Sequence, residues 1–212
     1  MNIVDRLICE LDTGLKTVFS TPHATRRQPR SAQSVAGNPA AMDDAARAES
    51  IRLMRVNHCG EVCAQALYQG QALVARDEVV QRLLIAAANE ERDHLAWCDS
   101  RLTELGGYSS RLSPAFYAAS FGLGVVSGLL GDKWSLGFLV ETEKQVEAHL
   151  HDHLGRISPV DADSRAILEA MREDEIRHGQ SGVAQGAESL PRPVKAAMRG
   201  FSKVMTGTTY WV

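Results

Sequence analysis

Two Glu-x-x-His pairs, Glu91 with His94 in "NEERDH" and Glu175 with His178 in "EDEIRH", constrain the fold of this chain more than any other feature. On a helix, positions i and i+3 share a face. The apolar stripe Val80, Leu83, Leu84, Ala87, Leu95, Cys98, Leu102 and Leu105 falls on the face that holds Glu91 and His94. Ile167, Leu168 and Met171 lead in the same way onto Glu175 and His178. One such pair is usually a solvated surface pair, but two pairs on apolar stripes point inward. Charged side chains are almost never found there unless paired or bound to a metal.

Spacing finds two more carboxylates. Glu61, in "RVNHCGEVCAQALYQGQ", stands 30 residues before Glu91, and the midpoint, Arg76, lies in "ARDEV", a turn with Asp77 as cap of the next helix. An antiparallel hairpin with that turn puts Glu61 and Glu91 at one height. Working back from Glu175 across the break at "GRISPVDAD", around Pro159, the same reasoning reaches Glu143. Glu143 fits the stripe Leu136, Leu139, Val140, Val146, Leu150 and Leu154; Glu147 fits it as well, and periodicity leaves that choice open. Glu141 falls with Lys144, Gln145 and Asp152 on the side expected to be wet. Two hairpins, each with one Glu and one Glu-x-x-His, make the ligand set of a carboxylate-bridged dinuclear metal site in a four-helix bundle. Four carboxylates and two imidazoles suit iron or manganese, and four negative charges balance two divalent ions. Cys59 and Cys63, flanking Glu61, are expected to be small packing residues directed away from it.

The remainder agrees with an all-α fold. Residues 2–19 carry Ile3, Val4, Leu7, Ile8, Leu11, Leu15, Val18 and Phe19 on one stripe of an amphipathic helix. Residues 20–43 include the Pro-containing, Arg-rich, aperiodic "STPHATRRQPRSAQSVAGNPAA" and are expected to be a mobile linker to a domain over 44–212. Within that domain the pattern predicts helices over roughly 44–75, 77–105, 113–131, 133–155, 162–186 and 190–204. Residues 112–131 contain no charge and carry a Gly124-x-x-x-Gly128 spacing. They are expected to form a crossover along the bundle that also lies in a membrane interface, since Pro114 and four glycines make a poor transmembrane span. A net charge of −3 gives no electrostatic reason to bind nucleic acid. Four cysteines without CxxC spacing, and no cleavable leader, predict reduced thiols in the cytoplasm and no disulfides.

The stretches "RVNHCGEVCAQALYQGQ", "NEERDHLAW", "LLGDKWSLGFLVETEKQVEAHLHDHL" and "REDEIRHG" together resemble the ferritin-like di-iron hydroxylases that act on demethoxyubiquinol in ubiquinone biosynthesis, over about residues 45–212. The resemblance implies two iron ions (Fe2+) per chain, held by Glu61, Glu91 and His94 from the first hairpin and Glu143, Glu175 and His178 from the second, with Glu91 and Glu175 bridging. It also implies a histidine six positions after the third-helix ligand; that is His149, which favours Glu143 over Glu147 and would serve in hydrogen bonding beside the metals or in redox coupling. His151 and His153 are then expected to face solvent. The activity implied is oxygen-dependent hydroxylation of a polyprenyl methoxy-methyl-benzoquinol, on the cytoplasmic face of the cell membrane as a peripheral protein. Dioxygen, the membrane surface and other ubiquinone-biosynthesis proteins would be its partners. A ferritin-like ferroxidase or storage protein would use the same ligands, but as a polar shell-forming oligomer.

Overall fold

A computed structural model describes residues 3–31 and 42–212. Seven helices and no strand occur among them: α1 (Ile3–Phe19), α2 (Asp44–Val74), α3 (Glu78–Leu105), α4 (Ser113–Leu129), α5 (Asp132–Arg156), α6 (Ala162–Ala184) and α7 (Arg192–Thr209). Short polar side chains set where α2, α3 and α6 begin, each satisfying a backbone N–H that the first turn leaves free. Asp43 accepts from Ala46 N at 2.7 Å, Asp77 from Val79 N at 2.7 Å, and Asp161 from Ser164 N at 3.1 Å. Gly106, at φ 79°, closes α3 in the left-handed region open to a residue without Cβ. α7 runs five residues past the expected position 204, because Met205 and Thr209 bury against the bundle.

Helices α2 and α3 form one hairpin and α5 and α6 the other, making the expected four-helix core. Along each helix the apolar residues stop and resume around the acidic positions. One cluster contains Leu53, Met54, Trp97, Leu102, Leu150, Ile167 and Met171, and a second contains Leu67, Tyr68, Leu84, Leu136 and Leu139. The carboxylates and histidines sit at the waist between them. Two turns along α3 from His94, Arg101 is buried against Asp161 and Ser164 at the start of α6, and ties the hairpins together.

The crossover, α4, lies along α2. Its buried face is made of small residues, Ser113, Ser120, Gly124, Ser127 and Gly128. A Cβ at Gly124 would meet the Leu67 carbonyl oxygen at 2.2 Å, and one at Gly70 would meet the Phe121 carbonyl oxygen at 2.4 Å. The two backbones touch there, which accounts for the Gly-x-x-x-Gly spacing. The opposite face carries exposed Val126, Leu129 and Leu130. Phe116 and Phe121 are half-buried, the first against Phe201 and the second stacked on Tyr117. No helix among the described residues is long and apolar enough to cross a membrane. α1 rests on α2 and α4, with Gly14 against the Tyr117 ring, and turns Ile8, Leu11, Leu15 and Phe19 outward. The side chains of Ile3, Val4 and Leu7 lie outside the described residues.

Three expectations need correction. Residues 20–31 depart from a mobile linker: Thr25 and Arg26 bind Asp93 of α3, Arg26 also binds Asp174 of α6, and Arg30 binds Glu104 and Asp163. This basic strap pairs with acids that α3 and α6 supply, partners invisible to a local reading of composition. Residues 32–41 of the expected linker lie outside the described residues. Glu141 is buried rather than solvent-facing, with Lys195 at 3.4 Å and Arg199 at 3.9 Å, because α7 covers that flank of α5. His153 is buried too, its ring 3.8 Å from that of His149, whereas His151 is exposed as expected.

Candidate metal centre

Each inward-pointing acid or imidazole arrives at the waist by helical periodicity alone: Glu61 from α2, Glu91 and His94 from α3, Glu143 from α5, Glu175 and His178 from α6. The structure brings all six together as two overlapping groups whose ligand-type atoms lie within 4.8 Å of one another. Glu61, Glu91, His94 and Glu175 form the first, and Glu91, Glu143, Glu175 and His178 the second. Glu91 and Glu175 belong to both. Glu147 does not join them; its half-exposed side chain pairs with Arg172 at 3.2 Å.

The two imidazoles face the cluster through the same nitrogen. His94 Nδ1 lies 2.8 Å from Glu91, 3.3 Å from Glu175 and 3.6 Å from Glu61. His178 Nδ1 lies 3.3 Å from Glu91 and 3.5 Å from both Glu143 and Glu175. Tyr68, fully buried on α2, donates its hydroxyl to Glu143 Oε1 at 2.5 Å. Around this shell are buried oxygens that make no hydrogen bond, Glu91 Oε1, Glu143 Oε2 and both of Glu175, and His178 Nδ1 is likewise unsatisfied. Buried polar atoms are nearly always satisfied, so this convergence of unpartnered acceptors fits a metal-binding site. Electrostatics agree. Burial, with neighbouring carboxylates, pushes Glu61 and Glu143 well above the usual carboxylate range. Burial pushes Glu91 the same way, yet hydrogen bonds from His178 and His94 hold it below that range. Burial would lower both histidines, but the surrounding acids carry them above the ordinary imidazole value.

Behind each imidazole stands a second acid from the opposite hairpin. His94 Nε2 is 2.9 Å from Asp174, the residue before Glu175. His178 Nε2 is 3.3 Å from Glu90, the residue before Glu91, a looser contact. Arg177 spans both acids, at 2.7 Å from Asp174 and 2.8 Å from Glu90. Such partners fix which nitrogen carries the proton and leave the other free for a metal. Spacing alone did not single out Asp174, Glu90 or Arg177, although the acidic doublets in "NEERDH" and "EDEIRH" are their trace: the residue before an inward Glu turns toward the neighbouring helix.

Two cavities approach the acids. One, about 100 Å³, is walled by α2, α4, α5 and α7 and reaches Glu61 past Leu67, Leu123, Val146 and Phe201. Cys63 also lines this cavity; Cys59 is buried, and all four cysteines are free thiols. His149 also lines it, outside both acid groups, with its Nε2 buried and unpartnered and its basicity pushed down to about 4 by burial. The other cavity, about 450 Å³, opens between α5 and α6 onto Glu143 and Glu175 past Val140, Gly179 and Val183.

Comparison with known proteins gives consistent matches along the whole chain. A family model described as "Ubiquinone biosynthesis protein COQ7" matches residues 48–209. The chain is 53% identical over 210 residues to the 3-demethoxyubiquinol 3-hydroxylase of Chromobacterium violaceum, covering 99% of this chain and 100% of that protein. It is 52% identical over 210 residues to the protein of the same name from Polynucleobacter necessarius subsp. necessarius, covering 99% of each. The Variovorax paradoxus protein of that name is 53% identical over 203 residues, 96% of this chain and 95% of the relative.

Proposed function

The chain belongs to the ubiquinone biosynthesis protein COQ7 family, and from that premise we propose that it hydroxylates a demethoxyubiquinol ring at a two-iron site held by Glu61, Glu91, His94, Glu143, Glu175 and His178. The observation that carries this reading is the pair of overlapping acid–imidazole groups buried at the waist of the bundle. Two Fe2+ ions, when bound, supply the reduction of dioxygen that hydroxylation needs. The protein's own side chains do the rest. Glu91 and Glu175, common to both groups, would be shared by the two ions, and Glu61, Glu143 and the two Nδ1 atoms would complete the sets. Tyr68 orients Glu143 through its hydroxyl, Asp174 holds the Nε2–H of His94, and Glu90 stands near His178 Nε2 without a hydrogen bond to it. The apolar cavity over Glu61 takes the quinol ring and keeps water from the reacting carbon. His149, on its wall, is held neutral and offers the ring a hydrogen-bonding partner.

The direct test is anaerobic loading of the purified chain with Fe2+, followed by exposure to dioxygen with and without a short-chain demethoxyubiquinol. About two irons per chain and formation of hydroxylated quinol are expected. Iron oxidation with no quinol product would turn the reading toward a ferroxidase.

A polyprenyl quinol resides in lipid, and the exposed apolar surface supplies a means of reaching it. Ile8, Leu11, Leu15 and Phe19 form one outward stripe of α1, and Val126, Leu129 and Leu130 stand at the end of α4. We place peripheral attachment at the cytoplasmic face of the cell membrane on these residues, in preference to the half-buried Phe116 and Phe121. Fully removing a large apolar side chain from water contributes roughly 1.5–3 kcal/mol. The double variant Leu11→Asp, Leu15→Asp should therefore bind phospholipid vesicles at least about tenfold more weakly in a sedimentation assay, with iron content unchanged. Undiminished vesicle binding would remove α1 from the membrane contact.

A further inference from the structure

Outside the acid cluster itself, the densest set of charged contacts in the described structure lies where the N-terminal strap crosses α3 and α6. Arg26 is at its centre. Its Nε donates to Asp93 Oδ2 at 2.9 Å and its Nη1 to Asp174 Oδ2 at 2.7 Å. That same Asp174 oxygen is the one 2.9 Å from His94 Nε2. The guanidinium also lies 4.8 Å from the centre of the Trp97 ring, which in turn packs 5.3 Å from the His94 ring. Trp97 Nε1 donates back to the Arg26 carbonyl at 3.4 Å. Arg26 thus touches His94 by two independent routes, one through a carboxylate and one through an aromatic face.

We propose that Arg26 is a positioning residue for His94, so that the strap reaches over the bundle to set the orientation of one of the two metal-binding imidazoles. The inference rests on the two-metal reading given above. Asp174 receives Arg26 and His94 on one oxygen and Arg177 on the other. With Arg26 in place the carboxylate is held from both sides, and the His94 ring has one favoured rotation with Nδ1 toward the acids. Without it, Asp174 can swing toward Arg177, and His94 loses its fixed partner and the packing order of Trp97. Among the described residues no part of the strap braces His178: its outer acid, Glu90, is partly exposed and is held by Arg177. The strap therefore acts on the ion that His94 binds and spares the one that His178 binds. Loss of an outer partner typically weakens metal binding by 10–100-fold.

Arg30 supplies the control. It anchors the same strap to Glu104 and Asp163, ten and more residues along α3 and α6 from His94 and Asp174, about 15 Å by helical rise. The metal-free full chain is titrated anaerobically with Co2+, whose visible absorption reports the ligand field of each ion, and calorimetry counts the ions. Wild-type protein is expected to take up two. Arg26→Ala should weaken one of them by roughly 10–100-fold and change its absorption band while leaving the other at wild-type affinity. Arg30→Ala should leave both ions within about twofold of wild type. Melting of the metal-free proteins checks folding, and Arg26→Gln, which retains a stem over Trp97, repeats the comparison should the alanine variant fail to fold. Wild-type binding of both ions by Arg26→Ala would overturn the proposal, as would an equal loss in Arg30→Ala, which would assign the effect to strap docking. Should wild-type protein take up fewer than two ions, the two-metal reading itself fails, and the positioning role falls with it.

Discussion

Glu175→Ala is expected to abolish metal loading and hydroxylation together while leaving the helical fold in place. Glu175 contributes to both acid–imidazole groups, so its loss opens both ion positions at once. Affinity should fall by well over the roughly 10–100-fold typical of outer partners. The stability effect has the opposite sign in the metal-free chain. Four buried carboxylates face one another within a few ångströms, and removing one relieves like-charge repulsion and burial of an unpaired acid. The melting temperature of metal-free Glu175→Ala should equal or exceed that of metal-free wild type. Iron should raise the melting point of wild type alone, since one ion at a hundredfold excess over its Kd contributes about 2.7 kcal/mol. Glu147→Ala serves as comparison: its half-exposed pair with Arg172 contributes at most about 1 kcal/mol, and both ions should remain. Two ions bound tightly to Glu175→Ala would refute the assignment of the bridge.

Arg101→Ala is expected to be the most destabilising single substitution away from the acid cluster. Arg101 is buried with Nη2 at 2.7 Å from Asp161, Nε at 2.9 Å from Ser164 and Nη1 at 2.8 Å from Glu104. Asp161 is also fully buried and caps α6 through Ser164 N. Removing the guanidinium leaves that carboxylate without its cation, a change that costs about 3–5 kcal/mol in buried pairs. For a chain of this length the melting temperature should fall by roughly 6–20 °C. Because Arg101 stands two turns beyond His94, the folded variant should still bind two ions. A fall of under about 1 kcal/mol would mean that solvent reaches the pair and screens it.

The sequence by itself determined what depends on one helix at a time. Apolar periodicity in α3 and α6 placed Glu91, His94, Glu175 and His178 on buried faces, and hairpin symmetry about Arg76 and Pro159 found Glu61 at the height of Glu91 and Glu143 at that of Glu175. Helix number and the cap at Asp77 were legible for the same reason: propensity, capping and a 3.6-residue period act over a few neighbouring residues. Tertiary structure alone decided which outer surface of each helix meets another element. Glu141 and His153 are buried because α7 and the packing around α5 cover them, and the strap at Thr25 to Arg30 is ordered because acids 67 to 148 residues away receive it. Periodicity left Glu143 and Glu147, one turn apart on a single stripe, undistinguished; in the bundle the first faces Glu175 and His178 and the second meets Arg172 at its edge. Periodicity measures a direction from one helix axis; whether protein or water waits in that direction is a property of the assembled bundle.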